Sequence, residues 1–509
     1  MYFNTKGIHK QSAVNKLLCV LLLNAVFFAA ALWLAHPIYN SLEDVNILYM
    51  LAGGFGDSPT ALVHYNYIFS PLLGVPVKLL FTIWPAVNWY TILLLLAHYS
   101  ACCIILLCLL GRWPAYAALL FYGAIFFVYE AHILLYINFT SASFVLAAAG
   151  LTLLISAFSA EKLNYKSILL AAVFIVAASM FRVHPVGPVV ALALPFLFLK
   201  KRHFFSVSLL LISIAALIFV FNLLHRNYYT AHISGWQKEE RVRSSLYPFQ
   251  NTGMPLRLNN DSFKSRTSYN MMVKMLPVES NEFSAENIQA VYRAEASTHK
   301  MATIKSNCKN WLWINNRLFI VAALILWSLS FFTGKKTWPS SVSLLLIIAG
   351  LLTLAVVAKL PYYFMFFVLF AWCVFTVQAY AGEVIYKSTW MANGMIAVLI
   401  TAGFFHLYRE GKRNVLRSKE FETAYRHIVC RPFTLFVVSE QTFPSDKFSV
   451  WAVPKNYMLP NYAGAGHFAN AMGEPVMHRF GVSSFKNLPA ASNVLFWDKD
   501  TAVLCAWFT

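Results

Sequence analysis

Apolar runs long enough to cross a bilayer, roughly 17–25 residues each, recur from one end of this chain to the other. They fall near 16–36, 88–110, 114–131, 137–158, 167–183, 186–199, 205–224, 313–333, 340–358, 361–380 and 389–407. A backbone that crosses hydrocarbon so often must satisfy its own N–H and C=O groups, and runs of this length do so as helices. Composition agrees: 59% of the 509 residues are hydrophobic and 12% charged, and the mean hydropathy is +0.59. A soluble globule with an ordinary polar surface is excluded. The expected fold is an all-α polytopic membrane protein with about eleven transmembrane helices and a small α/β domain at its C-terminal end.

Orientation rests on the segment 65–84, which is apolar but broken by Pro71, Gly74 and Pro76 and carries Lys78. If it lies in the outer interface, the basic clusters Lys162 and Lys166, Lys200-Lys201-Arg202, Lys335-Lys336 and Lys387, with Arg112, join Lys6, Lys10 and Lys16 on the cytoplasmic side. If it spans, all the later clusters move outside, against the positive-inside rule. The first arrangement is expected, with a cytoplasmic N-terminus and a retained first helix. The excess of 40 basic over 21 acidic residues is then topological, and no nucleic-acid partner is expected because no long basic run occurs.

Three segments fall on the outer side: the loop 37–87, the long loop 225–312 and the tail. The chain therefore divides into a transmembrane domain, 1–408, and an extracytoplasmic domain, 409–509. In the tail a basic helix near 412–428 precedes short alternating runs at 434–438, 448–453, 493–497 and 502–508, and in the long loop Ser284 can cap a helix. The eight cysteines form no metal-ligand pattern; most lie in apolar runs as packing residues, and a Cys430–Cys505 disulfide is conceivable in the tail.

The first outer loop opens with two adjacent carboxylates, Glu43 and Asp44, in a chain poor in acids. Ser41 followed by Asp44 is also a capping-box spacing, so the pair could simply start a helix. At the outer end of the run 167–183 stand Arg182 and His184. Arg182 could snorkel to the headgroups; alternatively it and His184 contact a lipid phosphate, for which a guanidinium offers paired donors. Arg226 and Lys359 leave the membrane on the same side and join them as expected phosphate contacts. Asp57, His64, Tyr228, Tyr229 and Tyr362 are the expected lining of a substrate cavity. Asn88-Trp89-Tyr90 reads as an interfacial aromatic anchor, and Tyr129-Glu130-Ala-His132 as polar groups at an outer membrane edge. Apart from such edges the runs are nearly free of charge, which counts against a transporter. No Walker loop, Rossmann fingerprint, HExxH or GxSxG occurs.

A first span, an outer loop opening with Glu43-Asp44, an interfacial segment, many further spans, a long outer loop and an outer C-terminal domain together resemble the GT-C class of integral-membrane glycosyltransferases. The run Glu43–Gly53, with Pro59, Asn66 and Asn88-Trp89-Tyr90, is similar to that of a group of bacterial membrane proteins associated with surface polysaccharides. The resemblance implies transfer of a sugar, with inversion, from a polyprenyl phosphate or diphosphate donor to a glycan or lipid acceptor outside the bacterial inner membrane. It implies Asp44 as general base or as ligand of a divalent cation such as magnesium or manganese, Glu43 as its partner, and Arg182 as the group that stabilises the leaving phosphate. The bacterial group it resembles more closely carries Asp-Asp where this chain has Glu-Asp, which leaves open which acid acts and whether a metal is needed. A flippase, an O-antigen-polymerase-type enzyme and a non-catalytic scaffold are the alternatives.

Overall fold

The computed structural model describes residues 13–39, 41–63, 69–160, 163–198, 203–238, 240–242, 244–245, 283–290, 293, 317–331, 338–357, 362–380, 390–439, 442–465 and 470–497. These residues form a helical membrane protein. Helix α1 (Ala13–Ala35) leads through strand β1 (Ile38–Tyr39) to the short α2 (Leu42–Ala52) and to α3 (Pro71–Ile83). Helices α4 (Trp89–Leu110), α5 (Ala115–Ile125), α6 (Ala131–Leu135) and α7 (Phe139–Ser159) follow, with a π-helical turn, Phe126–Glu130, joining α5 to α6 and strand β2 (Tyr136–Ile137) before α7. Next come α8 (Tyr165–Phe181), α9 (Val186–Leu197), α10 (Phe204–His232), α11 (Arg317–Phe331), α12 (Trp338–Val357), α13 (Tyr362–Tyr380) and α14 (Trp390–Val429).

Five of these segments are long and apolar enough to cross a membrane: Val14–Ala35, Trp89–Leu110, Ala115–Leu135, Phe139–Ser159 and Phe204–His232. Of the other apolar helices, α3, α8 and α9 have 13, 17 and 12 residues. At those lengths α3 and α9 rise about 20 Å each, less than the roughly 30 Å of a hydrocarbon core. On α3 the buried face is Gly74, Val77 and Phe81, while Leu72, Val75, Leu79, Ile83 and Trp84 remain exposed.

Burial sorts the long helices. α7, between α4, α8 and α13, is the buried centre of the bundle. Most of the apolar face of α10 is open, as lipid contact requires. α14 is 40 residues long, about 60 Å, so the run 389–407 and the basic helix 412–428 are one continuous helix. The expected domain boundary at 408/409 falls inside it. α14 packs closely on α1 and on the π turn through glycines: a Cβ at Gly403 would sit 2.6 Å from the Phe127 carbonyl oxygen, and one at Gly411 would overlap the carbonyl of Leu34. Gly411→Ala is therefore expected to cost about 1–3 kcal/mol, the usual range for overpacking, read as a lower midpoint of thermal unfolding in detergent. An unchanged midpoint would mean that the two backbones are not held together here.

The outer layer is tied to the bundle by backbone pairing. β1 and β2 form a two-stranded parallel sheet, Ile38 opposite Tyr136 and Tyr39 opposite Ile137. Beyond α14, strands β3 (Leu435–Ser439), β4 (Tyr462–Ala465) and β5 (Val494–Phe496) make a parallel sheet in the order β4-β3-β5, with α15 (Asn470–Arg479) beside β4. The C-terminal part is thus α/β. The run 448–453 is no strand: it makes one antiparallel bridge, Ser449 with Ile38, and its ends join the first loop through Tyr39 N–H to Phe448 O and Val450 N–H to Pro37 O. The run 502–508 and Cys505 lie outside the described residues. Asn461 secures the end of α14, its buried side-chain amide directed at the carbonyl oxygens of Ile428, Arg431 and Thr434.

Candidate functional site

Helix α2 begins where it does because Ser41 is its N-cap. The backbone there is extended, and the Ser41 hydroxyl accepts the Asp44 N–H at 3.2 Å. Gly53, at φ 72°, closes the helix in the left-handed region that favours glycine. The capping geometry is real, but it leaves most of the Asp44 carboxylate for other partners. Oδ1 accepts the Tyr90 hydroxyl at 2.7 Å and the Phe139 N–H at 2.9 Å, and Oδ2 accepts the Ser41 hydroxyl. Asp44 is fully buried. Burial pushes its pKa up to about 7, against the lowering effect of these three donors, and neighbouring Glu43 raises it further. Glu43 itself is half-buried.

The donor of the Phe139 N–H is the N-terminus of α7. Asn138 caps that helix reciprocally with Ser141, so its first turn is fixed and its positive dipole end faces the Asp44 carboxylate. Arg182, just beyond α8, reaches the same turn: its Nη1 donates to Thr140 Oγ1 at 2.8 Å, and its guanidinium lies 5.4 Å from the centre of the Phe139 ring. Its carbonyl accepts the Ser143 hydroxyl at 2.7 Å. Asp44 and Arg182 are thereby brought to the same residue, one on the backbone of Phe139 and the other on its ring.

A cavity of about 240 Å³ opens between the end of α8 and the C-terminal half of α10. His184 and Arg226 line it together with Ser70, Ser179, Asn222 and Glu240. Two of the four expected phosphate contacts thus converge, whereas Glu43, Asp44 and Arg182 do not line it. Arg226, Tyr228 and Tyr229 lie on α10, which runs on to His232 rather than ending near 224. Tyr229 is buried against Ile233 and Trp236, with its hydroxyl at the backbone of Val63 (3.2 Å from N), and Tyr228 packs on that cluster. Asp57 pairs with Arg479, which also donates to the carbonyls of Phe55 and Pro460 and so ties the first loop to α15. Tyr362 opens α13; His64 and Lys359 lie outside the described residues.

The motif Asn88-Trp89-Tyr90, expected as an aromatic anchor, is divided by burial. Trp89 is partly exposed, but Asn88 and Tyr90 are buried: Tyr90 serves Asp44, and Asn88 caps α4 while its amide faces the carbonyls of Val450 and Ala452. Nor are the spans free of charge. His98 of α4 and Glu130 of the π turn form a pair at 2.7 Å, with side chains 0% and 1% exposed. The sequence held a signal for it, an ionisable residue in each of two apolar runs, but the 32 positions between them hid the pairing.

Three hydrogen donors surround the Asp44 carboxylate, a setting that does not fit a magnesium or manganese ligand. No protein-family profile, curated protein or solved structure matches this chain.

Proposed function

We propose that this protein is a membrane glycosyltransferase that moves a sugar from a polyprenyl phosphate or diphosphate to a glycan or lipid acceptor on the outer face of a bacterial inner membrane. In this reading the chain crosses about eleven times, with the N-terminus inside, α3 in the outer interface and the α/β part outside. The observation that carries it is the cavity where His184 and Arg226 meet at the ends of α8 and α10. The Arg226 guanidinium supplies the positive charge for a lipid-borne phosphate as the sugar leaves. His184, its pKa lowered by burial, and the hydroxyl and amide side chains act as neutral hydrogen-bonding groups, while the Glu240 carboxylate in the same lining opposes an anion.

The acids stand on α2, apart from the cavity lining. Asp44 is enclosed, but the half-buried Ser41 bridges it to the outside. The acceptor hydroxyl gives its proton to Ser41 Oγ as Ser41 passes its own to Asp44 Oδ2. The acceptor oxygen then bonds to the anomeric carbon and the bond to the lipid phosphate breaks, with the phosphate keeping the electron pair. Arg182, held by Thr140 and Phe139, reaches the α7 cap that also bonds Asp44, and the next two residues, Val183 and His184, line the cavity. A carboxylate with its pKa near the working pH is well matched to general-base chemistry.

Because Asp44 must be ionised to take a proton, transfer is expected to rise with pH up to about 7 and then level, falling about tenfold per unit on the acid side. Spheroplasts with the outer face in buffers of chosen pH give this profile; a rate that is flat from pH 5 to 7 contradicts the role of Asp44. Binding tests the cavity separately. In native mass spectrometry of the purified protein, Arg226→Ala is expected to weaken retention of a polyprenyl phosphate by about tenfold or more, the effect of losing one charged donor. Equal retention by wild type and variant counts against a phosphate site in the cavity.

A further inference from the structure

His98 and Glu130 sit in the buried centre of the bundle and take no part in the chemistry above, yet they connect to it. His98 Nε2 lies 3.1 Å from Ser141 Oγ. The single hydroxyl hydrogen of Ser141 goes to the Asn138 carbonyl at 2.6 Å, and the same oxygen accepts the Asn138 N–H at 3.2 Å. The third contact must therefore be an N–H donated by His98. That fixes the imidazole: Nε2 carries hydrogen, and one further proton lies in the 2.7 Å contact between Nδ1 and Glu130 Oε1. Glu130 reaches this position from the π turn Phe126–Glu130, a local widening that turns a side chain off the regular helical face.

We propose that His98, held by Glu130, is a positioning residue for Asp44. By donating to Ser141 it fixes the Asn138–Ser141 capping turn, and that turn presents the Phe139 N–H to Asp44 and the Thr140 hydroxyl to Arg182. The order Ser141–His98–Glu130 is that of a hydrolase triad, but Ser141 is no nucleophile. Its hydrogen is committed to Asn138, it is wholly buried, and it does not line the cavity. Nor is the chain of contacts a proton path, since it reaches Asp44 through a backbone amide. The coupling is geometric.

The consequence for catalysis rests on the transferase reading; the test does not. Asp44 faces Glu43 on its own helix, Tyr90 on α4, Tyr39 on β1 and, beyond Phe139, Arg182, and substitution at His98 removes none of these groups. In nanodisc-reconstituted protein, the infrared band of the protonated Asp44 carboxyl, assigned by its loss in Asp44→Asn, reports the titration directly. His98→Ala is expected to loosen the Phe139 N–H and move the Asp44 midpoint up by about one pH unit, the scale of one lost hydrogen bond to a carboxylate. His98→Gln, whose amide can still donate to Ser141, restores it. Ser141→Ala removes the same contact from the other side and shifts the midpoint the same way, so the test survives if His98→Ala fails to accumulate. An unchanged midpoint in folded protein of either variant overturns the inference. A shifted midpoint in a protein whose variants leave every lipid-linked sugar unchanged upholds the positioning role and rejects the transferase.

Discussion

Asp44→Asn is expected to abolish the modified form of the surface glycan, lowering transfer by about 10²–10⁴-fold, the usual contribution of a positioned general base. The variant is informative because it is nearly isosteric. Its amide oxygen can still accept the Tyr90 hydroxyl and the Phe139 N–H that meet Oδ1; what disappears is the Oδ2 acceptor of the Ser41 hydroxyl and with it the proton's destination. The cost in folding is that of a disturbed cap, about 1 kcal/mol, so abundance in the membrane stays close to wild type. Glu43→Gln, at a half-buried position outside this hydrogen-bond set, is expected to reduce transfer much less. If Glu43→Gln is instead the inactive variant and Asp44→Asn is active, the roles of the two acids are reversed.

Asn88→Leu is expected to be the most damaging change to the fold among those considered. The Asn88 amide points at the carbonyls of Val450 and Ala452, at 3.1 and 2.9 Å, and at the Tyr39 hydroxyl at 3.2 Å, while its oxygen accepts the Thr91 N–H. Leucine removes the cap of α4 and takes the side-chain donor from the Ala452 carbonyl, while Val450 keeps the Thr91 hydroxyl, together about 2–4 kcal/mol. It also releases the segment that docks the α/β part on the first loop. The expected readouts are a clearly lower thermal midpoint and proteolytic cleavage within 442–465. A wild-type midpoint with no new cleavage would show that the Asp57–Arg479 pair and the Tyr49 hydroxyl, bonded to the Tyr457 carbonyl at 2.7 Å, suffice to hold the two parts together.

Local signals in the sequence carried through. The apolar runs became helices, Ser41 caps α2, and the alternating runs at 434–438 and 493–497 became β3 and β5. These depend on neighbours a few residues apart. The contacts that build the site do not: Asp44 meets Tyr90 and Phe139 across 46 and 95 positions, and Asn88 meets Val450 across 362. Periodicity carries no information about such pairings. The run 448–453 shows the same limit from the other side, since its alternation suits a strand but the first loop engages it as a docking segment. Continuous helices were also hidden. Nothing local in 405–412 marks that the apolar and the basic run share one helix, because a helix needs no break where its composition changes.

The claim that the cavity and the acids serve one transfer reaction is tested most directly on the donor side. Polyprenyl-linked sugars would be quantified by mass spectrometry in cells carrying wild type, Asp44→Asn or Arg226→Ala at matched membrane abundance. The account predicts that the same lipid-linked sugar accumulates in both variants while wild type keeps it low. Pools that are identical in all three strains would contradict it.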